Sequence, residues 1–300
     1  MKIIVLGAGK VGSNIAKNLS VQSYDICVVD KAVSKLKKLQ SEYDLAIVSG
    51  HASHPDVLKK AGIDSDTILI SVTNDDEVNI VACQIAKQIF DVKKTICRLS
   101  DSSYIKNLSA FGKEMIDIPI SPELEVTDHI IELIDHPGAE LIETFADGKV
   151  KLVSVKAKRG GKLVNRELKS IKNDIPDIDT FVPTIYRKNK AIVPDGNTVI
   201  KENDQVYFLS AEKNIDSILK EMRDQNVDSS RIMIVGGGMI GSSLASSLEN
   251  KYKVKVLETS LERCEMLSKD LNKAIVLNGD GSDVELVRSE NIENIDVFCA

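Results

Sequence analysis

Residues 3–12 read Ile-Ile-Val-Leu-Gly-Ala-Gly-Lys-Val-Gly. The apolar run before the first glycine predicts a buried parallel strand. It ends at Gly7, Gly9 and Gly12, whose G-x-G-x-x-G spacing is typical of a strand that turns into a phosphate-binding helix. In that interpretation Gly7 permits the tight turn, Gly9 lets a phosphate approach the backbone, and Gly12 lets the helix pack closely. Glycines that serve packing alone are the alternative, and the motif by itself leaves it open.

Two further features favour a nucleotide site. A second apolar run ends at Asp30, 18 residues after Gly12, which is near the spacing at which such an acid binds ribose hydroxyl groups. The same motif then recurs, because Gly236, Gly238 and Gly241 each lie 229 positions beyond Gly7, Gly9 and Gly12.

The repeat extends beyond the glycines. Val256-Leu257-Glu258 matches Val28-Val29-Asp30, and Gly279 with Ser282 and Glu285 matches Gly50 with Ser53 and Asp56. The chain therefore contains a duplicated domain.

Composition narrows the functional class. The 300 residues are 43% hydrophobic and 28% charged, with a net charge of −6, which is enough for two or three buried cores. The acidic balance argues against nucleic acid as the main partner, since phosphate neutralisation needs clustered cations. The five cysteines stand singly in apolar segments, as expected in a reducing cytoplasm. No apolar run approaches the roughly 20 residues of a membrane span, and we expect no signal peptide.

The order of patterns predicts three segments. Residues 1–135 alternate strands and helices, which predicts a doubly wound α/β domain with a parallel sheet. Residues 139–222 predict a small antiparallel α+β module, and a polar linker at 223–230 leads to a second, truncated doubly wound domain at 231–300.

Several element bounds follow from the same patterns. We expect strands at 45–48, 67–72, 95–99 and 115–118, and a helix from 122 to 134 whose apolar stripe needs an interdomain or intersubunit contact. Ser53 and Asp56 predict a capping box for the helix that follows.

Ligands of parallel sheets bind at the carboxyl ends of the strands. There the glycine loop would hold a pyrophosphate and Asp30 a ribose, while Thr73 and Asn74 either contact the nucleotide or cap a helix. Arg98 ends an apolar strand, so it should meet a phosphate or an acid, with Asp75 or Asp76 as the candidate acids.

The sequence shows neither the ligand set of a metal site nor the residue pair of a catalytic site. His51 and His54 lack a third ligand, so we predict no metal site. No nucleophile has a base beside it, and we predict no catalytic residues.

In combination, these motifs resemble the RCK or KTN domain family of peripheral nucleotide-binding subunits in bacterial Trk potassium uptake systems. The resemblance covers all 300 residues and implies two Rossmann-like domains that bind NAD(H), or ATP or ADP, without redox turnover. It implies candidate site residues in both copies: Gly7, Ala8, Gly9, Lys10, Val11, Gly12, Asp30, Lys31, Gly50, His51, Thr73, Asn74, Asp76 and Arg98, then Gly236, Gly237, Gly238, Met239, Ile240, Gly241, Glu258, Gly279 and Asp280.

There are two departures from the family pattern. His51 stands where the family usually has an acid, which the second copy keeps as Asp280. Family members also continue through a complete second half, so we expect that these residues are a fragment or that another chain supplies the rest. The second site should then be incomplete and bind the same nucleotide more weakly than the first.

Three functions are compatible with these residues. The resemblance implies a cytoplasmic regulatory subunit, peripheral at the inner face of the membrane, that forms a dimer or tetramer and gates a Trk-type potassium-translocating subunit. An NAD-dependent dehydrogenase is the alternative, although it would place a substrate domain after the cofactor domain. A structural adaptor without ligand is the third, and the intact glycines and Asp30 argue against it.

Overall fold

The computed structural model describes residues 1–22, 24–108, 115–174, 176, 178–223 and 230–300. The chain divides into two compact units, Met1–Glu125 and Val126–Ala300. Most of the expected linker, at residues 224–229, lies outside the described residues. The domain bounds expected from the sequence stay predictions.

The first unit is a parallel sheet covered by helices on both faces, and the predicted doubly wound α/β class is confirmed. Its strands are β1 (Lys2–Leu6), β2 (Asp25–Asp30), β3 (Ala46–Ser49), β4 (Ile68–Ser71), β5 (Lys94–Arg98) and β6 (Ile118–Ile120). Its helices are α1 (Lys10–Ser20), α2 (Val33–Glu42), α3 (Pro55–Lys60), α4 (Asp76–Phe90), α5 (Ser102–Lys106) and the start of α6 (Pro122–Asp135). The strand order is β3-β2-β1-β4-β5-β6, so the order reverses between β1 and β4.

Successive residues of β1 bury their apolar side chains on opposite faces of the sheet. Ile4 and Leu6 pack into one cluster with α3 and α4, whereas Ile3 and Val5 pack into the other with α1 and α2. Because both faces are covered, the strand reads as a continuous apolar run instead of an alternating one.

The sixth strand lies later than the predicted 115–118. Asp117 precedes it, and its carboxylate accepts the backbone N–H of Thr95 at 2.6 Å and the hydroxyl of the same residue at 3.0 Å. The ladder with β5 therefore begins only at Ile118, which pairs with Ile96. The other predicted strands are displaced by one residue at one or both ends.

The second unit contains the predicted antiparallel module. Its strands are β7 (Ala139–Phe145), β8 (Val150–Lys156), β9 (Thr180–Arg187), β10 (Lys190–Ile192) and β11 (Gln205–Ser210). They form a sheet of the order β10-β9-β11-β8-β7, and α7 (Ile171–Asp174) and α8 (Ile215–Glu221) accompany it.

The same unit continues into the second doubly wound sheet. Its elements are β12 (Arg231–Val235), α9 (Met239–Leu248), β13 (Lys253–Glu258), α10 (Leu261–Asp270), β14 (Ile275–Asn278), α11 (Val284–Ser289) and β15 (Val297–Cys299). The strand order is β14-β13-β12-β15, which repeats β3-β2-β1-β4 of the first sheet.

From Val126 onward helix α6 belongs to the second unit, where all of its predicted apolar stripe except the 44%-exposed Val126 packs against other residues of that unit. Ile134 is 4% exposed and packs, with Ile130 and Ile131, into the core that contains Ile232 of β12. Leu133 packs instead against the core of the antiparallel module. The helix therefore presents apolar residues to two different cores of the second unit.

Candidate nucleotide-binding site

Packing explains two of the three glycines in the first loop. Gly7 has φ +103°, and a Cβ there would lie 3.0 Å from the carbonyl oxygen of Val72. A Cβ on Gly12 would lie 1.9 Å from the carbonyl oxygen of Gly7, so only glycine fits. Gly9 is different, because the nearest atom to its Cβ would be Asn74 Oδ1 at 4.0 Å. The loop thus leaves open space at the position where a phosphate would approach the backbone.

Asp30 ties this loop to the end of β2. One carboxylate oxygen accepts the backbone N–H of Ala8 at 2.6 Å, and the other accepts the N–H of Ala32 at 2.7 Å. Each carboxylate oxygen can accept a second hydrogen bond. The half-buried Asp30 is therefore held in a fixed position and still has acceptor capacity for a ligand hydroxyl.

A cleft of about 270 Å³ lies beside Asp30, at the carboxyl ends of β1, β2 and β4. This is the position that the sheet order predicts for a ligand. Six of the candidate residues line it, namely Gly7, Asp30, Lys31, Gly50, Thr73 and Asn74, together with Val29, Lys35, Ala52, Asp75 and Val78. The candidates Ala8, Gly9, Lys10, Val11, Gly12, His51, Asp76 and Arg98 are not among the lining residues.

The interpretation of Thr73 or Asn74 as a helix cap is wrong. Asp75 caps α4, since its side chain accepts the N–H of Val78 at 2.9 Å. Thr73 donates its hydroxyl to Asn79 Oδ1 at 2.7 Å, and Asn74 is left at the edge of the cleft.

Asn79 is a site-forming residue that sequence reasoning missed. It is fully buried; its Oδ1 accepts the N–H of Thr73 at 2.9 Å, and its Nδ2 donates to the carbonyl oxygen of Arg98 at 3.0 Å. The side chain thereby joins the loops that follow β4 and β5. The signal was an amide among the mostly apolar buried residues of α4, where a polar side chain requires partners.

Arg98 meets an acid, as predicted, but not Asp75 or Asp76. Its guanidinium pairs with the carboxylate of Glu123, and both side chains are 15% exposed. Asp76 instead accepts the backbone N–H groups of Ser100 and Asp101, each at 2.8 Å. Asp76 and Arg98 therefore shape the loop after β5 from outside the cleft.

His51 replaces the acid of the second copy without loss of the turn. Its Nδ1 lies 2.9 Å from the hydroxyl of Ser53, and Asp280 Oδ1 lies 2.8 Å from the hydroxyl of Ser282. Desolvation, followed by the charge of Lys31, lowers the pKa of His51, which favours the neutral ring that this arrangement needs.

The predicted capping box at Ser53 and Asp56 is therefore wrong. The hydroxyls of Ser53 and Ser282 bond backwards along the chain. His54 is the N-cap of α3 without a side-chain bond, and Asp283 caps α11.

Across the described ranges, no group of three or more His, Cys, Asp or Glu side chains could hold a metal ion.

The second copy repeats the loop-and-carboxylate unit with a longer acid. Glu258 accepts the N–H of Gly237 at 2.7 Å and that of Ser260 at 2.8 Å. A Cβ on Gly237 would lie 3.2 Å from Glu258 Oε2 and 2.4 Å from Leu267 Cδ1. The closest of these contacts is with Leu267, so packing against that side chain favours glycine at the position that corresponds to Ala8.

Both copies have the fold and loop geometry of Rossmann-type nucleotide-binding domains. The family models place the chain more narrowly: the TrkA-N domain matches residues 3–122 and 232–300, and the TrkA-C domain matches residues 152–223. The chain belongs to the TrkA family.

Curated relatives agree with this assignment. The chain is 44% identical to the Trk system potassium uptake protein TrkA of Halomonas elongata, over 100% of this chain and 66% of the relative. The TrkA protein of Vibrio alginolyticus gives the same identity and the same coverage. The chain therefore spans slightly less than two thirds of these relatives.

Solved structures support the fold. A GsuK channel bound to NAD matches this chain with a TM-score of 0.67 at 14% identity. The match covers 99% of this chain and 52% of the GsuK chain. A GsuK structure bound to ADP has a TM-score of 0.55 at 11% identity, with the same coverage. At this level of identity the likeness concerns the fold alone.

Proposed function

We propose that the chain is part of a nucleotide-sensing regulatory subunit that gates a Trk-type membrane potassium transporter. The observation that carries the proposal is the duplicated loop-and-carboxylate unit, in which Asp30 and Glu258 each bind a backbone N–H of their glycine loop. The relatives named as potassium uptake proteins supply the context.

NAD(H), or ATP or ADP, is the proposed ligand of the first site. The diphosphate would lie at the first turn of α1, where backbone N–H groups favour anions, and Asp30 would accept hydrogen bonds from the ribose. A 2′-phosphate would face the carboxylate of Asp30, so NADP is disfavoured. GsuK structures with NAD and with ADP support both ligand classes for this fold.

Gating requires that the ligand distinguish two arrangements of the subunit. A ligand at about 100 times its dissociation constant for one arrangement, with negligible affinity for the other, shifts the equilibrium by roughly 2.7 kcal/mol. We place the subunit in the cytoplasm at the inner face of the membrane, as a dimer or tetramer. Among the described helices, none has the length and apolarity that a membrane crossing requires.

A dehydrogenase remains the competing function, because the loop motif is shared. The segment that follows the first nucleotide domain argues against it, since it is a strand-rich module and a second loop-and-carboxylate copy. We expect no hydride transfer. Steady NADH turnover with a small carbonyl substrate, abolished by Asp30→Ala, would support the dehydrogenase.

Calorimetric titration with NAD⁺, NADH, ADP and ATP tests the proposal directly. We expect saturable binding of at least one of them, and an ultraviolet spectrum of the purified protein with a nucleotide band if the ligand co-purifies. Absence of binding by all four would refute the proposed ligand class. The second site is expected to bind more weakly, and two equivalent tight sites would contradict that ranking.

A further inference from the structure

A second cavity lies at the opposite end of the second sheet from its glycine loop. Its volume is about 590 Å³, within the range of small-molecule pockets, and it opens at the amino ends of β12, β13 and β14. Its lining includes Arg231, Glu249, Lys253, Lys273, Ile275 and Glu290. All of them belong to the second copy.

The lining is basic in an acidic protein. It holds four lysine or arginine and two glutamate side chains, whereas the whole chain has a net charge of −6. Arg231 is paired with Asp296 at 3.1 Å and Lys255 with Glu290 at 2.7 Å. Glu249 is already engaged, because it accepts the N–H groups of Lys273 and Ala274 at 2.7 and 2.9 Å. Lys253 and Lys273 are exposed and form no salt bridge within the described ranges. Their ammonium groups are therefore available to an anion.

The first copy has acids at the positions of both unpaired lysines, although Lys2 keeps the positive charge at the position of Arg231. The strand register matches Lys253 to Asp25, since each pairs with the first residue of the first strand of its copy. Lys273 matches Asp44, two residues before the matched strands β14 and β3. Two lysines thus replace two aspartates, so the basic character is a property of the second copy and not of the fold.

The interior of the cavity also differs from the first copy. Lys255 takes the place of Cys27 in the register, and Glu290 takes the place of Ala61. Cys27 and Ala61 are 1% and 3% exposed, whereas Lys255 and Glu290 form a 2.7 Å ion pair with side chains 24% and 27% exposed. In the second copy an ion pair therefore stands where the first copy has two small buried residues.

Apolar groups complete the lining. Ile275 is 53% exposed although it is a large hydrophobic residue on a strand, and Ile295, Val254 and Tyr252 also line the cavity. An apolar surface beside unpaired ammonium groups suits a ligand that is itself apolar at one end and acidic at the other.

We propose that this cavity is a second ligand site, separate from the nucleotide cleft, for a small organic anion with an apolar, ring-sized body. Lys253 and Lys273 bind its acidic group, and Ile275, Ile295 and Tyr252 contact its body. The proposal does not depend on nucleotide binding by either glycine loop.

The experiment uses 8-anilinonaphthalene-1-sulfonate as the probe and isoleucine methyl NMR of the full 300-residue chain as the readout. We expect the δ1 methyl signals of Ile275 and Ile295 to shift with one saturable transition. In Lys253→Gln/Lys273→Gln the dissociation constant should rise between about 2-fold and 30-fold, as for two solvent-exposed ion pairs. The matched control is Asp25→Asn/Asp44→Asn, which should leave it unchanged.

A second variant tests the apolar part of the site. Ile275→Trp fills the cavity and should abolish probe binding at the Ile295 methyl, whereas Ala46→Trp, at the register-matched place in the first copy, should not. Probe shifts confined to first-copy isoleucines, or unchanged binding in both cavity variants, would overturn the proposal. So would self-association in sedimentation that Ile275→Trp removes, because the cavity would then be a contact between copies of the chain.

Discussion

Replacement of Asp30 by alanine tests the site most directly. The carboxylate accepts the N–H of Ala8 at 2.6 Å, and Ala8 is only 4% exposed. In Asp30→Ala that N–H loses its acceptor, and a proposed ribose loses its charged partner. Each loss is of the kind that costs about 1–3 kcal/mol.

For nucleotide binding, a loss of about 1–3 kcal/mol corresponds to a dissociation constant raised about 5-fold to 150-fold. Asp30→Asn should lie between alanine and the wild type, because its amide oxygen can still accept one N–H group. Asp25→Ala is the matched control, since Asp25 begins the same strand, is exposed and lies at the opposite end of the sheet.

Calorimetry with ADP and with NAD⁺ measures the affinities, and urea denaturation measures the stability of each variant. We expect Asp30→Ala to have a lower nucleotide affinity and a lower stability to urea than the wild type, and Asp25→Ala to be unchanged in both. If Asp30→Ala is folded and binds both nucleotides with wild-type affinity, the assignment of this carboxylate to the ligand is refuted.

Three further predictions concern stability, each measured by urea denaturation. Gly12→Ala should cost about 3 kcal/mol or more, because the new Cβ would overlap the carbonyl oxygen of Gly7; a wild-type midpoint would contradict this. Arg98→Met removes the cation of its mostly buried pair with Glu123 and should cost about 3 kcal/mol, whereas a neutral effect would mean that packing offsets the charge. Backbone N–H groups of the loop before β14 lower the pKa of Glu249 in the folded protein. The carboxylate therefore stabilises the fold above its unfolded pKa of about 4.3, and this stabilisation is lost as the pH falls through the lower pKa of the folded state. Glu249→Gln should reduce the fall in the free energy of unfolding at acid pH.

The local pattern of the sequence was sufficient for the architecture of both nucleotide domains. Apolar runs that end at Gly7 and Gly236 specified a strand followed by a tight turn, and both glycines have positive φ in the structure. Asp30 and Glu258 were placed at the strand ends by spacing alone. These features are readable because they depend on residues that are neighbours in the chain.

The hydrogen-bond and capping partners within the site could not be predicted from neighbouring residues. Thr73 and Asn74 were candidates for the helix cap, yet Asp75 caps α4 because it is the last residue with extended backbone before the helix. The role of Asn79 likewise depends on the carbonyl oxygen of Arg98, which belongs to the neighbouring strand.

The sequence by itself determined the fold class, the duplication and the carboxylate beside each glycine loop, because glycine sterics and apolar periodicity act over a few residues. Only the tertiary structure decided which acid neutralises Arg98 and which residues line the cleft. The pairing of Arg98 with Ile120 in the parallel ladder brings Glu123, 25 residues away in the chain, beside the guanidinium. Such a contact is fixed by strand register, which depends on the packing of the whole sheet instead of on neighbouring residues.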